Sequence, residues 1–161
     1  MKLKKSQLLK RIIAALTQSL SVLEKAARAS HEEATHESSR AESKYDTRGL
    51  EAAYLAGGQT RQAKEILDAI SLYESLALKE FASNDPIDLT ALVELEADGA
   101  RSYFFIGPKS GGLEIEYQGG EIMVITPQSP LGRNLMGKKA GQRWTTDLGG
   151  SAVKYHVLAV S

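Results

Sequence analysis

The sequence predicts an α+β chain: an antiparallel coiled-coil helical hairpin over residues 1–83, then a β-rich, mainly antiparallel domain over residues 84–161 with one short helix. Three observations predict it. Residues 1–83 hold no proline and only the glycines Gly49, Gly57 and Gly58, whereas residues 84–161 hold all four prolines and the other eleven of fourteen glycines. The apolar period is helical in the first part and two-residue in the second. The composition changes at Ser83-Asn84-Asp85-Pro86, which reads as a helix stop and linker.

In the first part Leu9, Ile13, Leu16, Leu20, Leu23 and Ala27 recur at steps of four and three, the seam of a coiled coil. A second series, Ala52, Ala56, Gln59, Ala63, Ile66, Ile70, Tyr73 and Ala77, follows the same rule. With no third helix available, the two series should pack on each other, antiparallel, with a hinge near residues 38–47. Each arm of ~35 residues would be roughly 50 Å long, so its far end is expected to project into solvent or a partner. Large apolar residues cluster at 8–23 and 66–81, and small or polar ones at 27–48. The base therefore supplies the packing energy, and exposed charge pairs near the tip add only tenths of a kcal/mol. Gly57-Gly58 inside the second helix costs about 1 kcal/mol per glycine relative to alanine, which points to a kink or a close helix approach.

In the second part Leu92–Glu96, Arg101–Ile106, Leu113–Tyr117, Glu121–Thr126 and Val153–Val160 alternate as strands, with glycine-rich turns between them. Ser129 and Pro130 read as the cap and first position of a short helix. Gly137 stands where that helix would end in a left-handed turn, and Lys138 and Lys139 suit its negative end. Trp144, Tyr103, Phe104 and Phe105 are expected in the packing of the sheet.

Composition narrows the chemistry. The absence of cysteine excludes disulfides, thiol catalysis and cysteine-type zinc sites. Lys+Arg and Asp+Glu are both 20, so net charge argues for neither free nucleic-acid nor membrane-surface binding. Lys2, Lys4, Lys5, Lys10 and Arg11 form a basic helix start, which reads as solvated or, second, as a contact to nucleic acid or a partner protein. His31 and His36 do not converge with Glu32, Glu33 and Glu37 on a helix, so no metal site is expected in the isolated protein. The basic then apolar N-terminus reads as helix rather than signal peptide, and no stretch approaches the ~20 apolar residues of a membrane span. A cytoplasmic location is expected.

Residues 125–142, ITPQSPLGRNLMGKKAGQ, closely resemble the C-terminal signature of the Gre-type (GreA/GreB) bacterial transcription elongation factors. The matching positions are Ser129, Pro130, Leu131, Gly132, Gly137, Lys138 and Lys139. The closing KYHVLAV is also similar, and Gre factors carry an N-terminal antiparallel coiled coil. The resemblance implies an FKBP-like second domain that binds RNA polymerase, with Ser129, Pro130, Leu131, Gly132, Gly137 and Lys138 as the polymerase-binding set. It implies a hairpin entering the secondary channel, where tip acids help hold Mg²⁺ in the polymerase active site and the polymerase cleaves backtracked RNA at its 3′ end. Carboxylates suit that task, because Mg²⁺ takes hard oxygen ligands. The factor would be no enzyme itself and would have no cofactor of its own.

At the tip the sequence departs from the family. Aligned on Tyr45, Ser38 and Ala41 stand where Gre factors carry their two acids. A shifted register offers Glu37, Glu42 and Asp46 as candidate tip acids, at spacings of five and four rather than three. This favours a second reading, a channel-occupying regulator or inhibitor that stimulates no cleavage. A peptidyl-prolyl isomerase or chaperone would need an aromatic-lined proline pocket that no residue set announces. A plain coiled-coil scaffold would leave the second-half signature unexplained.

Overall fold

A computed structural model describes residues 4–40, 47–147 and 149–161, with side chains described for 4–29, 58–147 and 149–161. In chain order the elements are α1 (Lys5–Arg40), α2 (Thr47–Glu74), β1 (Leu92–Ala97), β2 (Ala100–Ile106), β3 (Glu114–Tyr117), β4 (Gly120–Ile125), α3 (Pro130–Leu135), β5 (Arg143–Asp147) and β6 (Ala152–Val160). The chain divides into two compact units, Met1–Ile12 with Leu72–Ser161, and Ile13–Ser71.

The first unit holds a six-stranded sheet in the order β3-β4-β2-β1-β6-β5. Its hairpins use the left-handed turn residues that such connections need. Asp98-Gly99 joins β1 to β2 at φ 48 and 85, and Gln118-Gly119 joins β3 to β4 at φ 49 and 78. The expectation of a mainly antiparallel sheet needs one qualification: β2 and β4 pair in parallel, so the sheet is mixed. The chain leaves β2, crosses to the edge as β3, and returns as β4 beside β2.

Alternation splits the strands between two faces. On one, Val93, Leu95, Ile106, Ile125, Val157 and Val160 join Ile87, Ala91 and Leu135 in the main core. On the other, Leu92, Phe105, Ile115, Tyr117, Ile122 and Val124 are buried as well. Helix ends belonging to the same unit meet this second face. Leu8, Ile12 and Tyr73 are fully buried, Arg11 lies over the Tyr117 ring at 5.1 Å, and Tyr117 donates to Gln7 Oε1.

Two sequence expectations change. The second helix was expected to run toward residue 83 but ends at Glu74, so Ala77 lies beyond it. Residues 75–91 leave the helix because their apolar members serve the sheet: Phe81 and Leu89 pack on the main core. The strand β5 was not expected. Its RWTTD offers one apolar residue, Trp144, too little for a two-residue period.

In the second unit, Leu16 and Ala69 are buried. The seam residues Leu20, Leu23, Ala27, Gln59, Ala63, Ile66 and Ile70 are half-buried, and Val22 and Leu67 are 57% and 50% exposed. Residues 18–26 face 62–66 across a hollow of about 540 Å³. Those positions lie at matching distances from the connection between the helices, as an antiparallel pair requires. A Cβ added at Gly58 would meet nothing within 4 Å, so close helix approach does not account for that glycine.

Candidate functional site

The signature segment builds a short capped helix at the end of β4. Ser129 is the N-cap: its Oγ accepts from Gly132 N at 3.0 Å and donates to Thr126 O at 2.8 Å. Pro130 occupies the first turn, where its missing N–H costs nothing. Gly132 has no substitute there, because a Cβ would sit 1.8 Å from Thr126 O. Leu135 is fully buried, and Leu131 and Met136 pack against the same core. The glycine and serine thus keep α3 tight against the strand end, and the leucines hold it on the sheet.

Past α3, Gly137 takes φ 83, the left-handed position expected of it. Gly137 N donates to Ile87 O at 2.9 Å, and Ile87 N donates to Lys138 O at 2.7 Å. This two-way bond pins the turn to the segment before β1. Lys138 was expected to serve the helix dipole, and its Nζ instead lies 4.6 Å from the Trp144 ring centroid. The other partner of Trp144 is Tyr155, stacked at 5.3 Å. Lys139, Pro130, Arg133 and Gly137 are exposed.

The six predicted binding residues therefore meet in one turn-helix-turn, but in two roles. Gly132 and Ser129 are turned inward to make the turn. Pro130 and Gly137 face outward, while Leu131 and Lys138 lie between. The basic helix start also divides. Arg11 donates to Glu116 O at 2.7 Å, and Lys5 to the carbonyls of Lys79 and Thr90, so both are bound within the unit. Lys4 and Lys10 stay exposed. Sequence reasoning missed the Lys138–Trp144 contact, which closes across a turn, and the Arg11–Tyr117 pair, which joins segments far apart in the chain. Of the candidate tip acids, Glu42 and Asp46 lie outside the described residues, and so does the side chain of Glu37.

A groove of about 430 Å³ opens beside Trp144 and Tyr155. Charged residues Glu96, Asp98, Arg143 and Lys154 line it with them, which does not suit an apolar proline pocket.

Residues 82–161 match the family described as transcription elongation factor, GreA/GreB, C-terminal. Through this half, the chain belongs to the GreA/GreB family. Solved structures similar to this GreA/GreB chain include GreA factor homolog 1 of Thermus thermophilus, at 20% identity, TM-score 0.38, covering 92% of this chain and 94% of that one. The Thermus aquaticus protein of the same name is 21% identical, TM-score 0.38, covering 91% and 92%. A GreA/GreB elongation factor of Nitrosomonas europaea is 16% identical, TM-score 0.34, covering 62% and 78%. Membership of the GreA/GreB family rests on the domain match and not on these likenesses. No curated protein matches.

Proposed function

We propose that the chain is an accessory factor that binds core RNA polymerase at its secondary channel and modulates transcription elongation. The observation that carries this reading is the GreA/GreB domain at residues 82–161, with its signature folded into a capped helix. The factor performs no chemistry alone. At most it lends carboxylates from Glu37, Glu42 and Asp46 to Mg²⁺ in the polymerase active site, and it meets the nascent RNA 3′ end only there. The second reading, a channel occupant that stimulates no cleavage, is favoured by Ser38 and Ala41 at the positions of the family's acids.

The test is transcript cleavage in a backtracked elongation complex with Mg²⁺, core polymerase and this protein. Shortened RNA that disappears in Glu37→Ala, Glu42→Ala or Asp46→Ala would assign the acids to cleavage. Absence of cleavage with competition against a cleavage-active factor would select the second reading. Neither cleavage nor competition overturns both.

A further inference from the structure

Thr90 departs from the backbone rules of its residue type. It is 2% exposed and sits at φ 73, a left-handed conformation that strains a β-branched side chain. The surrounding bonds hold it there. Its N donates to Ile106 O at 2.8 Å. Its Oγ1 accepts from Lys79 N at 2.9 Å, and its carbonyl accepts from Lys5 Nζ at 3.1 Å. The same Lys5 Nζ donates to Lys79 O and lies 4.6 Å from the Phe81 ring centroid. One ammonium on the first turn of α1 thus joins the carbonyls at both ends of segment 79–90. Between those ends lie Phe81, Ile87 and Leu89, which cover the main core, and Asp88, which pairs with Lys79 Nζ at 2.7 Å. Burial lowers the pKa of Lys5 and the nearby Glu80 carboxylate opposes that shift. The charge is therefore held partly out of water, where two carbonyls and a ring face compensate it.

We propose that Lys5 is a clasp: it holds the 75–91 connection in a closed, strained form, and its release opens that connection without unfolding the sheet. The device follows from the fold and does not depend on the reading of function. Hydrogen exchange of the full chain, followed by mass spectrometry, tests it. In Lys5→Met, amides of residues 79–91 should exchange at least about ten-fold faster than in the parent. Those of β4 and β6 should keep their protection. Lys5→Arg, which keeps the charge and the donors, should restore most of the difference. A second measurement needs no variant. In the parent protein under mild denaturant, the 79–91 amides should open in a step separate from the sheet. Unchanged exchange at 79–91 in Lys5→Met, or exchange of 79–91 in the parent only together with β4 and β6, overturns the clasp.

Discussion

The unit made of Met1–Ile12 and Leu72–Ser161 and the unit Ile13–Ser71 obey different constraints. In the first, single atoms decide: Gly132 leaves no room for a methyl group, Gly107 would bring a Cβ within 2.2 Å of Tyr73 Oη, and Tyr73 Oη in turn donates to Lys109 O. In the second, a half-buried seam suffices, Val22 and Leu67 stand in solvent, and a helical glycine has open space around it. The difference teaches where sequence change is tolerated. A strand-and-turn unit stores its specificity in positions that admit one residue. A helix pair spreads it over many contacts of small individual weight.

Substitutions can break or sharpen that contrast. The largest expected effect is Gly132→Ala. With Thr126 O at 1.8 Å the backbone must move, so stability should fall by roughly 4 kcal/mol or more, read by thermal unfolding. Next, Leu135→Ala in the main core should cost about 3 kcal/mol, whereas Leu23→Ala on the half-buried seam should cost about 1. Equal costs in a denaturant series would erase the distinction between the units.

Tyr73 gives a pH signature of the first unit. Burial pushes its phenol up to about 12 from 10.0, against the smaller opposing effect of the bond to Lys109 O. The unfolded phenol ionises first, so the stability is complete below pH 10 and is lost as pH rises from 10 through about 12. The loss over that window approaches 3 kcal/mol, on the order of 1.4 per pKa unit. Tyr73→Phe should flatten this alkaline limb at the expense of about 1 kcal/mol for the lost hydrogen bond. Unfolding midpoints of both proteins from pH 8 to 12 check it. The smallest effect is a gain: Gly58→Ala in α2 should stabilise the second unit by about 1 kcal/mol, seen as increased helix content or melting temperature.

Much of this was legible in the sequence, and the failures have physical causes. Ser129, Pro130 and Gly137 announced a capped helix and its left-handed end because capping chemistry is local. The end of α2 was misread because Leu78 and Phe81 prolong an apolar series without saying which surface they cover; Phe81 covers the sheet. Strand β5 escaped because an edge strand with one apolar residue has no period. Lys138 was assigned to a helix dipole since its aromatic partner, Trp144, lies six residues on and across a turn. The strain at Thr90 leaves no trace in composition, because it is imposed by Lys5, Lys79 and Ile106, all distant in sequence.

The helical residues that fasten to the sheet unit share one habit. Lys5, Arg11 and Tyr73 all reach main-chain carbonyls, those of Lys79, Thr90, Glu116 and Lys109. A carbonyl is present whatever side chain the position carries. Replacing the exposed Glu116 or Lys109 side chains therefore leaves the fastening intact. Natural drift at Glu116 and Lys109 can thus pass without loosening these bonds, while the donors Lys5, Arg11 and Tyr73 stay fixed.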